Sequence, residues 1–401
     1  MKTRKILLAT TTLCLAAGTA AAEVALSGGA EMGVVGSKNN SERFFTDVNV
    51  KFKMSGVTDG GIEFGTAVEL SEVSDDDDKA GEDTGKDYAT GDNDEHGGIE
   101  IFIKDPDGFG SLAMGDTDGA YDWALSEIVD VGGGSIDDAQ EHGAYDGNGG
   151  LDGTHDGQIL RYDRAVGSGF SFAASVELDD DDNGNDEGGE SDDPVLGIGG
   201  KYTMGMGMGE LALGGGFQAT SSDRSFKLEA GNVDVTAEAD ATVVGGSVSM
   251  DFTGGGDGFK TILNASVLEA DASVTADSAT TTLDVEQTYL GLGLGYHVGG
   301  VELGVNVASK VTEGTYNGPR SGNDDVASLE TTVTGVGFAA TYDLGGGASL
   351  QFGVGSSETE NDYTVGGAWA NNETLSGPEA DNGLDTSSST NKWSLGLAFS
   401  F

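Results

Sequence analysis

Carboxylates dominate the chemistry available to this chain. It carries 69 Asp and Glu against 19 Lys and Arg, a formal charge of -50 at pH 7. Two runs are densest in oxygen ligands: Asp75-Asp76-Asp77-Asp78, and Asp179 to Asp182 followed by Asn183, Gly184, Asn185, Asp186 and Glu187. Hard cations such as Ca²⁺ are held by oxygen, so Asp75, Asp76, Asp77, Asp78, Asp180, Asp181 and Asp182 are candidates for weak, multi-site divalent binding. Neither run follows the helix-flanked calcium loop that ends in a bidentate carboxylate. His96, His142, His155 and His297 are scattered without metal-ligand spacing. No Gly-x-Ser-x-Gly stands between a strand and a helix, so a nucleophile elbow is missing. Gly205, Gly207 and Gly209 imitate a dinucleotide motif, but no helix follows. The reading is a non-enzyme that requires no cofactor, with Ca²⁺ as the only ion its acidic loops suggest. Nucleic acid is excluded as a partner, because binding it needs basic patches that release counterions.

Strands must carry these groups. Val48, Val50, Phe52 and Met54 alternate with Asp47, Asn49, Lys51 and Lys53; Val301, Leu303, Val305 and Val307 alternate with polar or small residues. Side chains switch faces at each strand residue, so each series is one apolar face. The pattern predicts sixteen strands over 24–36, 43–56, 60–73, 97–105, 109–116, 156–165, 169–179, 194–204, 209–220, 240–253, 259–270, 284–298, 301–311, 329–343, 348–360 and 391–401. The last keeps Trp393, Leu395, Leu397, Phe399 and Phe401 on one face to the final residue, where a soluble chain would fray.

The connections alternate short and long. Thr58 to Gly61, Asp105 to Gly108, Val166 to Gly169, Gly254 to Gly258, Gly299-Gly300 and Gly345 to Gly347 are Gly-rich turns. Segments 74–96, 117–155, 180–193, 221–239, 271–283, 312–328 and 361–390 are expected as long loops. Short turns on one side and long loops on the other belong to a transmembrane β-barrel, whose lipid face needs an apolar residue only at alternate positions. A closed sheet also leaves no edge strand to protect.

The amino terminus reads as an export signal. Lys2, Arg4 and Lys5 precede a short apolar run, and Ala20-Ala21-Ala22 is a small-residue cleavage pattern. This predicts a signal peptide over 1–22 and one barrel domain over 23–401. Cys14 would leave with the signal. Residues 1–22 hold three basic and no acidic residues, so their loss takes -50 to -53.

Several segments together resemble the general diffusion porins of alphaproteobacteria, the Rhodobacter-type family of Gram-negative outer-membrane porins. They are Glu23 to Gly28, Met54 to Gly65, Met114-Gly115-Asp116, Gly169 to Ser175 and Thr341 to Ser349. The resemblance implies a homotrimer in the cell outer membrane, in contact with lipid and lipopolysaccharide. It implies sixteen antiparallel strands, short periplasmic turns, long external loops and a third loop, 117–155, folded into the lumen. The function implied is passive diffusion of small hydrophilic solutes and ions.

In that frame the acidic constriction consists of Asp122, Glu127, Asp130, Asp137, Asp138 and Glu141. The opposing basic wall would draw on Arg43, Lys51, Lys53, Arg161 and Arg164. Arg161 and Arg164 are three apart and cannot both face inward in a regular strand. Basic residues are few, so a weak Arg wall and a preference for cations are expected. The competing reading is a secreted or surface-attached, acidic, calcium-dependent adhesive β protein. It should show repeated Gly-Gly-x-Gly-x-Asp units, and Gly254 to Gly258 does not recur at that period.

Overall fold

The computed structural model describes residues 11–12, 23–38, 40–72, 98–145, 147–154, 158–178, 193–207, 209–228, 233–254, 256–276, 279–320, 323–365 and 386–401. They build an antiparallel barrel of sixteen strands. The strands are β1 (Glu23–Ser37), β2 (Arg43–Val57), β3 (Glu63–Glu72), β4 (Ile99–Asp105), β5 (Gly110–Gly115), β6 (Ile159–Gly167), β7 (Phe170–Glu177) and β8 (Val195–Gly205). Then follow β9 (Glu210–Leu228), β10 (Val233–Asp251), β11 (Gly258–Ala276), β12 (Ala279–Val298), β13 (Val301–Arg320), β14 (Asn323–Gly345), β15 (Ala348–Val365) and β16 (Thr386–Ser400). Each pairs with its neighbours in the chain, and β16 returns to β1. The seam runs to the last residue: Phe401 N donates to Gly28 O at 3.0 Å, and Gly28 N to Phe401 O at 3.3 Å. Thr11–Thr12 adds a two-residue bridge to Leu26 and Ala25.

Register fixes the faces. Lys51 stands opposite Glu69, and Phe52 opposite Val68. Val24, Leu26, Phe52, Phe64, Ile101, Met114 and Leu395 are exposed on the outside. Around the turn side runs an aromatic rim that includes Phe170, Tyr202, Phe259, Tyr296, Tyr342 and Phe401. Amphipathic rings at a membrane interface serve as such a girdle.

The wall is taller than alternation indicates. Segments 221–239, 271–283 and 312–328, expected as loops, are largely strand; β9 to β15 run 18 to 23 residues, whereas β3 to β8 run 6 to 11. Beyond the apolar band both faces meet water, so hydrophobic alternation ends while Thr- and Val-rich pairing continues.

A row of carboxylates marks that transition. Glu269, Glu286, Glu313, Glu330 and Asp362 stand directly opposite one another across β11 to β15, all exposed. On the same face, about ten residues down each strand, lie Phe259, Tyr296, Leu303, Ala340 and Phe352. At about 3.3 Å per residue and a tilt near 40°, the two rows are about 25 Å apart along the axis, the height of a barrel's apolar band.

Candidate channel constriction

The chain leaves β5 at Asp116 and rejoins the wall at β6. Between them it folds inward, through a short helix α1 (Ala120–Ala124) and 3₁₀ turns at Ile128–Val131 and Ile136–Asp138. The helix lies on β7 to β9, the first turn on β11 to β13, and the second on β15, β16 and β1. The loop thus follows the inner wall around most of the circumference. The inner face of β2 to β4 instead lines a cavity, bordered by Lys51, Lys53, Ala67, Glu69, Glu100 and Phe102.

Glycine on the inner face makes this close approach possible. A Cβ at Gly199 would strike the Ala120 carbonyl; at Gly304, the Gly132 carbonyl; at Gly355, the Glu141 carbonyl. Hydrophobic clusters form between loop and wall, one of Tyr121, Leu125, Leu151, Val195 and Val243, another of Ile128, Ala144, Tyr145, Tyr289 and Ala308. Apolar area removed from water there drives docking that a bare water-filled barrel would lack.

Wall side chains satisfy the loop's backbone, which has little regular structure of its own. Ser175 Oγ accepts from Ala120 N at 2.8 Å, Ser247 Oγ from Ser126 N at 2.8 Å, and Thr341 Oγ1 from Gly134 N at 2.8 Å. Ser357 Oγ accepts from Gly143 N at 2.6 Å, and Gln218 Oε1 from Leu151 N at 2.7 Å. Lys260 Nζ donates to Asp130 O at 2.7 Å. Near the loop's two ends, Asp152 Oδ2 accepts from Gly119 N at 2.7 Å.

The expected loop carboxylates all lie on this inward segment, spread along it. Asp122 is in α1, Glu127 precedes the first 3₁₀ turn, Asp130 is within it, and Asp137 and Asp138 lie in the second turn with Glu141 following. Each is half-buried. Asp137 and Asp138 hold left-handed backbone, φ 52° and 42°, which Asp tolerates better than most residues. Asp122 departs from the expectation of a simple anion. Burial, then the charges of Glu127, Asp118 and Asp152, push its carboxyl up to about 8. Burial likewise raises Asp152 to about 6 and outweighs its bonds to Gly119 and Gln218. Burial lowers His142 to about 4, so this loop histidine is neutral at ordinary pH.

The basic residues divide. Lys51, Lys53 and Arg43 share the inward face of β2, with Arg43 at the loop-side end. Arg161 also faces in: its Nη1 donates to Asp118 O and, at 3.2 Å, to Thr117 Oγ1, while Nε meets Asp163 at 3.5 Å. Arg164 does not belong to the pore wall. It pairs with Phe172 on the outward face, near the turn to β7, because a three-residue step changes face. Sequence reasoning missed Lys104, Lys201 and Lys260. Lys104 pairs with Glu63 at 2.9 Å, and Lys201 lies 4.2 Å over the Trp123 ring. Inward parity could have found them, as it could the glycines.

Of the suggested divalent ligands, Asp75 to Asp78 and Asp180 to Asp182 lie outside the described residues. Among the described residues, no group of three or more His, Cys, Asp or Glu is placed to hold a metal ion.

A closed barrel with an apolar outer face and a polar lumen narrowed by an inward loop is an outer-membrane channel. The chain belongs to the Gram-negative porin family, whose model matches residues 9–362. It is 26% identical over 358 residues to a porin of Rhodobacter capsulatus, covering 86% of this chain and 97% of that one. Among solved structures it is similar to a porin refined at 1.8 Å, with 22% identity, a TM-score of 0.52, and coverage of 94% of this chain and 100% of the other. It is therefore a general diffusion porin of the outer membrane, a channel and not an enzyme.

Proposed function

We propose that this porin prefers cations and that its constriction is the gap between loop 117–155 and the inner face of β2 to β4. One observation carries the reading: the loop that narrows the lumen carries Asp118, Glu127, Asp130, Asp137, Asp138 and Glu141, with no Lys or Arg between residues 105 and 160. Fixed carboxylates around a narrow aqueous passage lower the energy of a cation there and raise that of an anion. Small hydrophilic solutes pass by diffusion, with no binding step and no required cofactor. The assembly is a homotrimer set in lipid and lipopolysaccharide, matured by cleavage before Glu23; family membership supports the trimer, and the basic–apolar–small order of 1–22 supports the cleavage. The acidic external loops bind Ca²⁺ weakly.

Planar-bilayer recording in a KCl gradient tests this reading. A reversal potential toward the K⁺ equilibrium value, with conductance in steps of three, is the expected result. A reversal potential toward Cl⁻ would remove the cation preference, and single unitary steps would remove the trimer.

A further inference from the structure

The wall facing the loop is not a basic wall. A cavity of about 190 Å³ opens on the inner face of β2 to β4, at the level where the chain leaves β5, lined by Lys51, Lys53, Glu69, Glu100, Phe102 and Asp116 among others. Both signs of charge are present, in an ordered pattern. Lys51 stands opposite Glu69 and meets it at 3.4 Å; on the next inward row Lys53, Ala67 and Glu100 follow one another across β2, β3 and β4. One row further from Glu100 along β4, Phe102 lies under two ammonium groups, Lys53 Nζ at 5.3 Å and Lys104 Nζ at 5.2 Å from its centroid. Lys104 is in turn paired with Glu63 at 2.9 Å. Asp116 is engaged by Gly98 N at 2.6 Å, and so is bound into the wall.

We propose that Glu69 and Glu100 are specificity-determining residues: by offsetting the charges of Lys51 and Lys53 they keep the wall opposite the loop from acting as an anion attractor that works against the loop's carboxylates. The proposal rests on the channel reading above and names the residues that set its selectivity. Two positive charges at a narrow passage would otherwise draw Cl⁻ in and pull against the loop's field. Because these side chains are part-exposed, the Lys51–Glu69 pair adds little to stability, and neutralising Glu69 and Glu100 should leave the barrel folded.

The test is the K⁺/Cl⁻ permeability ratio, from reversal potentials, of full-length trimers carrying Glu69→Gln with Glu100→Gln, compared with wild type. The ratio is expected to fall at least about threefold as two uncompensated ammonium groups appear in the passage. Adding Lys51→Gln and Lys53→Gln to the same protein is expected to return the ratio to near the wild-type value, a rescue that a merely structural role would not produce. An unchanged ratio in the Glu69/Glu100 variant, with unitary conductance at the wild-type level, would overturn the proposal while leaving the channel intact. Absence of any conductance from folded wild-type protein would instead overturn the channel reading on which it rests. A reduced ratio that the two lysine substitutions fail to restore would also overturn it.

Discussion

The inner wall has two unlike halves. Under the loop, from β7 around to β1, many inward positions are small, among them Gly199, Gly214, Ser247, Gly295, Gly304, Gly355 and Gly396, and charged ones such as Lys201, Lys260 and Glu302 are engaged by the loop itself. On β2 to β4 they include a cluster of long, charged side chains: Lys51, Lys53, Glu69, Glu100 and Lys104. The first half is a bed, shaped so that a loop with little secondary structure can lie on it with its backbone hydrogen-bonded. The second is a passage wall, wetted and patterned in charge. Burial separates them: Gln218, Asn264, Asn306 and Ser394 on the covered half are almost fully buried, whereas Lys51 is 51% exposed. The position of one loop thus decides whether an inward residue of the same barrel is structural or functional.

The largest effect should come from overfilling the bed. Gly199→Val with Gly304→Val puts side chains where the loop carbonyls run. Overpacking costs about 1–3 kcal/mol per site, so the loop should lift while the barrel stays closed. The expected result is a changed unitary conductance and excess current noise from a protein that remains heat-modifiable. Ala67→Val on the passage wall, where the loop does not lie, should leave the noise unaltered.

The next effect is on charge and pH. Asp122 has its folded pKa raised from 3.8 to about 8, and Asp152 to about 6. A raised carboxyl pKa means the docked loop holds protons that the free chain releases. Docking is therefore fully favoured below about 4 and weakens as pH rises through 6 and then 8. Above 8 Asp122 also adds a charge to the passage. The K⁺/Cl⁻ permeability ratio should rise between pH 6 and pH 9, and Asp122→Asn should flatten that rise. His142 acts in the opposite sense. Its folded pKa is lowered from 6.5 to about 4, so its contribution is complete above 6.5 and is lost as pH falls through 4. Acid unfolding of His142→Gln should begin at a lower pH than that of wild type.

A smaller effect belongs to the outside of the tall wall. The facing carboxylates Glu269, Glu286, Glu313, Glu330 and Asp362 repel across β11 to β15. Like charges opposite each other destabilise a sheet, and salt screens them. The thermal midpoint should rise with NaCl, and less steeply after Glu286→Gln with Glu313→Gln.

Much of the wall was legible in the sequence because lipid imposes a period of two. Val301, Leu303, Val305 and Val307 give β13 its outward face without reference to any other strand. The upper parts of β10 to β13 were not legible, since residues such as Ser273, Thr275 and Thr282 pair in water and need no apolar side. The inward loop was reached through family resemblance, and the glycines beneath it were missed because glycine was read as turn chemistry. Gly291, Gly293 and Gly295 fall at alternate positions of a strand interior, which a turn cannot explain. The face of Arg164 depended on the register of β6, which its pairing with β5 and β7 sets.

The most direct measurement uses adjacent positions on β2. After removal of residues 1–22 the chain has no cysteine, so Lys53→Cys and Met54→Cys can each be probed alone with a charged, membrane-impermeant thiol reagent during single-channel recording. A stepwise fall in conductance is expected at position 53, which lines the passage, and no change at position 54, which faces lipid. Equal responses at the two positions, or a block at 54 alone, would contradict that assignment of faces.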